Sequence, residues 1–312
     1  YQSNILKMLM LSGESESLSK RLSEKNIRSI FLKGSILAAD IYGDISLRTS
    51  SDIDLLIPLE DLEQTESTLL NLGYVKDDYI LTILNDWKWR HHHITFIHPM
   101  KKIKVEIHWR LNPGPSCNPS FEELWNRKKR SLITNFPVYM LGNEDLFVFL
   151  SSHGARHGWS RLRWLMDIHM LIQQDLNWDS VKKLLRKYHL CSIGGQALIL
   201  SGELFHSCIP HGLEKLVARK KSNQLASDAM FYIKQLINLH DEPLPREVSK
   251  YHQRHLFGQM SLLHKTLFIL SFFYPYPEDA QALPLPKPFH FLYFPLRPFI
   301  WAWRRKHRHA ML

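Results

Sequence analysis

The stretch Ser51-Asp52-Ile53-Asp54-Leu55-Leu56-Ile57 decides how this chain is read. Side chains alternate faces along a strand, so Asp52 and Asp54 point one way while Ile53 and Leu55 face a core. Two carboxylates side by side repel each other, and without a cation one is pushed towards protonation. A divalent metal removes that conflict. An oxygen-only ligand set on a strand suits Mg²⁺ or Mn²⁺, which keep several waters and recruit substrate phosphates as their remaining ligands.

Upstream of it stands Leu32-Lys33-Gly34-Ser35. Glycine lets the backbone approach a phosphate closely, and Ser35 is expected to cap the helix that follows. Free N–H groups at that helix start form an anion site. Lys33 and Arg48, with Ser51 nearby, are the candidates to bind a nucleotide, the two cations stabilising a leaving pyrophosphate. Downstream, Lys104-Val105-Glu106-Ile107-His108-Trp109 turns Val105 and Ile107 to the core and Glu106 and His108 to the other face. If that strand lies beside residues 52–57, Glu106 completes a three-carboxylate cluster for two metals, one on the nucleotide phosphates and one at an acceptor hydroxyl. Glu106 can instead take the proton from that hydroxyl as a general base. Each piece alone reads more plainly as a solvated strand end or a helix cap. Their order and spacing together point to nucleotidyl chemistry.

Around these motifs the first part of the chain alternates helix and strand signals. The pattern predicts helices over 5–25, 36–42 and 59–72, the last closed by Gly73, and strands over 27–32, 53–57, 93–97 and 103–111, the last two forming a hairpin. That makes an α/β or α+β unit. After Pro137 and Gly142-Asn143 the pattern becomes helical, over 144–156, 160–174, 178–189, 193–207, 222–240 and 255–273, so two domains, 1–140 and 141–312, are expected. With 45% hydrophobic and 22% charged residues the chain is no disordered polymer. Its 40 Lys and Arg against 30 Asp and Glu leave a net charge of +10, which favours anionic partners. Cys117, Cys191 and Cys208 form no C-x-x-C pair and are expected as reduced thiols of a cytoplasmic protein. Tyr1-Gln2-Ser3 is no signal segment and lacks an initiator Met, which predicts a few residues missing or processed; no run reaches the ~18 apolar residues of a spanning helix.

Histidines form a second layer of candidates. His153 and His157 share a helix face, where with Arg161 they either wall the cleft or serve the core; a zinc pair would need a third ligand. Trp159, Trp164 and Leu165 read as core, and Asp167 is expected to pair with Arg161 or Arg163. In His91-His92-His93, alternation sets His92 apart from the other two, and His93 reaches Glu106 and His108 if its strand pairs with theirs. The tail from Ala280 carries no acid, many aromatics and a basic end. It either meets an anionic membrane surface or packs its aromatics across the two domains, and the second is expected.

Apolar-Gly-Ser, a gap, Asp-apolar-Asp and a later Glu on a strand resemble the DNA polymerase β-type nucleotidyltransferase superfamily. More narrowly, Phe31-Leu32-Lys33-Gly34-Ser35, Tyr42, Arg48, Asp52 to Ile57 and Val105-Glu106-Ile107-His108-Trp109 are similar to a bacterial, mostly uncharacterised nucleotidyltransferase family. Its members occur in gene clusters for surface polysaccharides and for ribosomally made peptides, lasso peptides among them. His153 to Ile168 fits the same family, so the resemblance spans residues 4 to about 300. It implies an α+β fold, a small mixed β-sheet with flanking helices plus an α-helical second domain. It also implies Mg²⁺ or Mn²⁺ on Asp52, Asp54 and Glu106, and a nucleotide donor with its phosphates at Gly34 and Ser35. Lys33 replaces the glycine or apolar residue of many superfamily members.

These signals predict a transferase moving a nucleoside monophosphate from a triphosphate to an acceptor hydroxyl or phosphate, a ribosomally made peptide being one such acceptor. Three rivals keep the fold: a nucleotide-sugar donor, a toxin-like enzyme acting on RNA, and a non-catalytic binder.

Overall fold

The computed structural model describes residues 2–77, 80–239 and 243–308. Seven strands form one mixed sheet: β1 (Ile30–Phe31), β2 (Asp52–Leu56), β3 (Val75–Lys76), β4 (His93–His98), β5 (Ile103–His108), β6 (Lys129–Arg130) and β7 (Tyr139–Met140). Their order is β3-β4-β5-β2-β1-β7-β6, with β2·β5 and β1·β7 parallel and the other neighbours antiparallel. The fold is α+β, a mixed sheet carrying helices and followed by helices, as the sequence leads one to expect. The hairpin forms because apolar and polar residues alternate through Ile103–His108, which buries Ile103, Val105 and Ile107.

In the helix Gln2–Ser23, of the apolar positions at helical spacing (Leu6, Leu9, Met10, Leu18 and Leu22), only Leu18 and Leu22 face the core. Leu6, Leu9 and Met10 point outward, and the buried stripe is Met8, Leu11, Ser15, Leu18 and Leu22, with Ser12 and Ser19 beside it. Small serines let the helix lie close to its neighbours, so apolarity alone misplaces part of the face. Every strand lies before residue 141, and from Asn143 on the described elements are helical: Asn143–Arg156, Leu162–Ile172, Trp178–Lys187, Cys191–Phe205, the short Glu214–Val217, and Lys220–Lys234. One buried apolar cluster runs from Met8 through the sheet to Ala229.

The expected helix over 255–273 is two helices, Arg246–Gln259 and Leu262–Ser271. Ser261 ends the continuity by accepting the His264 N–H as an N-cap at 3.1 Å. Past it come Pro277–Ala282, a 3-10 turn at Lys287–Leu292 and the helix Tyr293–Arg308. Tyr293 and Ile300 pack with Ile83 of the sheet-bearing part, so the tail docks. Most of its aromatics stay largely exposed, against the expectation that they fill a seam: Phe289, Phe291, Phe299, Trp301 and Trp303, and also Phe294, whose ring meets that of Tyr274 edge-on at 5.2 Å. Side chains of residues 305–308 lie outside the described set. No described helix is long and apolar enough to cross a membrane.

Candidate functional site

The parallel register of β2 and β5 sets Asp54 opposite Glu106, and the antiparallel register of β4 and β5 sets His93 opposite His108. The carboxylates therefore meet across two neighbouring strands, with imidazoles on the same side. Asp54 is fully buried. Lys33 Nζ lies 3.0 Å from its Oδ1, and His108 Nε2 lies 3.2 Å from the same oxygen and 3.6 Å from Glu106 Oε2. Lys104 Nζ holds Glu106 Oε1 at 2.8 Å. Burial opposes a charge on His108, but its contacts with Asp54 and Glu106 outweigh that and raise its pKa. Burial likewise opposes ionisation of Glu106, and the hydrogen bond and charge of His108 hold its carboxyl well below the usual range.

Asp52 sits two residues earlier at the wall of the cavity, where Ser50 Oγ donates to its Oδ1 at 3.2 Å. Donor atoms of Asp54, Glu106 and His108 fall within 4.8 Å of one another, and so do those of His92, His93 and His108. Asp52 is in neither group. These residues fit a divalent cation: Asp54 Oδ2 is buried without a hydrogen-bond partner, and the carboxylates already gather positive charge from Lys33 and His108. While His108 is charged it offers no lone pair, so the donors are the carboxylate oxygens, which suit Mg²⁺ or Mn²⁺.

His92 is a correction to the sequence reading. The strand begins at His93, so alternation does not extend to His92, whose ring lies 4.4 Å from that of His93 and 5.5 Å from that of His108. All three imidazoles face one another. Burial pushes the His93 pKa down to about 4.

Gly34 caps the helix Ser35–Tyr42 from φ 83° and ψ −145°, a conformation that glycine adopts freely and other residues do not. Ser35 does not cap that helix as expected. It is the first helical residue, and its Oγ is buried with no hydrogen-bond partner. A polar atom left so beside free helix N–H groups suits an anion oxygen. Ser51 is exposed, and neither it nor Gly34 nor Ser35 lines the enclosed part of the cavity.

The cavity, about 190 Å³, is closed from above by the helices Asn143–Arg156 and Leu162–Ile172. They bring His153, Arg156, His157, Arg161, Arg163 and Trp164 over Lys33, Asp52, Glu106 and His108. The rings of His153 and His157 are 4.7 Å apart, and Trp164 packs edge-on against His153 at 5.4 Å. Trp159, Trp164 and Leu165 are core as expected, and Trp164 lines the cavity as well. No third described His, Cys, Asp or Glu joins His153 and His157 in a metal-ligand group.

Two arginines stand here in contrasting surroundings, Arg48 buried and Arg156 half-buried. Arg48 donates through Nε and Nη2 to Asp167 at 2.9 and 3.0 Å, and Tyr42 Oη donates to Asp167 at 2.8 Å. Asp167 thus pairs with Arg48, not with Arg161 or Arg163, and Arg163 instead donates to Thr49 at 3.0 Å. Asp167 is turned inward, beside the buried Trp164 and Ile168, and is completely buried where only an equally buried cation can meet it. Arg48 still forms part of the cavity wall, with its charge neutralised. Arg156 has no carboxylate in ion-pair reach among the described residues. Its Nη2 lies 3.4 Å from His153 Nδ1, and its buried Nη1 has no partner. Burial lowers its pKa to about 10, against the pull of Glu106 and Asp54. The sequence reading passed over Arg156, although it stands three residues after His153 on the same helix face.

A search of the curated proteins gives no match. Among solved structures, the antibiotic-resistance factor ANT(2'')-Ia is similar at 12% identity and a TM-score of 0.42, over 58% of this chain and 90% of that one. A crystal structure of ANT(2'')-Ia with adenylyl-2''-tobramycin gives 13% and 0.41, over 55% and 92%. An antigenic nucleotidyltransferase-like protein from Paracoccidioides brasiliensis gives 14% and 0.35, over 59% and 91%. The model of a family described as uncharacterised nucleotidyltransferase matches residues 1–206, a span that contains every residue of the cavity described above. The chain belongs to that nucleotidyltransferase family.

Proposed function

We propose that this cavity is the active centre of a divalent-metal-dependent nucleotidyltransferase that takes its nucleotidyl group from a nucleoside triphosphate. The observation that carries the reading is the β2–β5 register, which joins Asp54 to Glu106 in the cavity that Arg156, its buried Nη1 without a partner, also lines. Asp52, Asp54 and Glu106 would hold Mg²⁺ or Mn²⁺. Bound there, the metal would neutralise donor phosphate charge and acidify the acceptor hydroxyl.

The chain's own groups supply the rest. Helix N–H groups at Gly34 and Ser35 receive phosphate oxygens, and the Ser35 hydroxyl gains the partner it lacks. Lys33 and Arg156 balance the charge that moves to the leaving pyrophosphate as the acceptor oxygen bonds to the α-phosphorus and the bond to the β-phosphate oxygen breaks. Lys33 then exchanges its contact with Asp54 for one with phosphate. Glu106, held ionised by His108, would serve as a metal carboxylate, and the proton of the acceptor hydroxyl passes to solvent. His153, His157 and Arg161 form the wall on the acceptor side, and the helical cover excludes water and fixes the in-line approach. The acceptor is a hydroxyl or phosphate group, a ribosomally made peptide being one candidate.

A thermal-shift panel of the four nucleoside triphosphates and several nucleoside diphosphate sugars, each with Mn²⁺, tests the donor. Ligands that bind only the folded state raise its melting temperature. A shift from a triphosphate that Asp54→Asn abolishes is the expected result. A shift confined to the nucleotide sugars would assign a glycosyl donor instead.

A further inference from the structure

The C-terminal helices carry their polarity inside out. In Leu262–Ser271, the outward positions are Leu262, Leu263, Thr266, Ile269 and Leu270, a stripe at helical spacing that Phe273 continues past the helix end. Leu262 is 86% exposed and Phe273 61%. In Tyr293–Arg308, Arg297 and Arg304 turn inward to the buried Asp279, Arg304 at 3.2 Å, while Phe294, Pro298 and Phe299 face out, Phe299 at 72% exposure. The two faces are one surface. Arg297 Nε donates to the Phe272 carbonyl, and Phe272, Phe273, Pro298 and Trp301 line an open apolar cleft between them. A helix that spends its arginines on an internal acid and presents phenylalanine and tryptophan to water is built for a medium other than water.

We propose that this face docks on an anionic lipid bilayer, lying in its interface without crossing it. Charge complementarity selects that occupant. From residue 280 on the sequence has six Lys and Arg and no Asp or Glu, so the segment stays basic even with the single charge of Asp279 shared between Arg297 and Arg304. Aromatic and aliphatic side chains enter the acyl boundary, and nearby basic groups meet acidic headgroups. The surface lies beyond residues 1–206, the part shared with the family, so the docking is independent of the nucleotide site and of the reading given to it.

Sedimentation of the full chain with phosphatidylcholine vesicles, with and without phosphatidylglycerol, at low and high salt, tests this. Partition onto the phosphatidylglycerol vesicles is expected, weakened by salt and lowered at least about tenfold by Phe299→Glu and by Phe273→Glu. Circular dichroism of each variant verifies the fold, since both side chains are exposed. No partition, partition that ignores lipid charge, or partition that survives both substitutions would overturn the proposal. A dimer abolished by the same substitutions, without vesicle binding, would overturn it and give the face to a second copy of the chain.

Discussion

The cavity and the C-terminal face break the ordinary rule of burial in opposite directions. In the cavity, charges are buried: Asp54 and His108 sit where solvent does not reach, and Arg156 is half-buried above them with its Nη1 shielded. On the C-terminal face, large apolar side chains are exposed while Arg297 and Asp279 are hidden. A buried charge costs free energy unless it is matched, and an exposed apolar patch costs free energy unless it is covered. Each deviation therefore identifies a chemical demand: an anion and a metal for the cavity, an apolar and acidic surface for the outer face.

Substitutions separate the two regions, and the largest effect belongs to the carboxylates. Asp54→Asn should lower nucleotidyl transfer by about 10³-fold, ~4 kcal/mol of transition-state stabilisation, and should also lower urea stability, because Lys33 and His108 lose a buried counter-charge. Steady-state rates and denaturant melts of the same preparation decide this.

Next comes the contrast between the buried Arg48 and the half-buried Arg156. Asp167→Ala leaves Arg48 buried and unpaired and should destabilise the fold by about 3–5 kcal/mol, read as the urea midpoint. Arg156→Met removes a partly desolvated charge with no carboxylate in ion-pair reach among the described residues, so the fold should keep its stability or gain some. Triphosphate affinity should fall about 10- to 100-fold, which calorimetry measures. Equal destabilisation by the two substitutions would erase the distinction.

A smaller effect follows pH. The His93 pKa of about 4 lies below its unfolded value of ~6.5, so between these pH values the unfolded chain takes up a proton that the folded one refuses. Its contribution to stability is complete above the upper value and is lost as pH falls towards the lower one, by up to ~1.4 kcal/mol per pH unit. His93→Asn should flatten that part of the stability–pH curve. Smallest of all, Phe299→Glu should change stability by no more than about 0.5 kcal/mol while altering surface binding.

The sequence made some of this legible and hid the rest for physical reasons. Period-two patterns in residues 52–57 and 103–108 revealed the two central strands, because burial on one face forces alternation. The same rule misplaced His92, which lies just outside the strand. Continuous apolar periodicity concealed the break at Met260-Ser261, where a single capping hydroxyl decides the outcome. On the first helix the buried serines were invisible to a search for leucines. Arg48 and Asp167 stand 119 residues apart, and only the fold brings them together. Arg156 reads in sequence as one more solvated cation; its significance is that no carboxylate among the described residues comes within ion-pair contact, which no local pattern encodes.

Calorimetric titration of the full chain with a nucleoside triphosphate, in Mn²⁺ and again in excess chelator, tests the central claim most directly, with the double variant Asp52→Asn/Asp54→Asn as comparison. The account predicts binding that needs the metal and that the double variant loses. Binding of equal strength with chelator, or in the double variant, would contradict it.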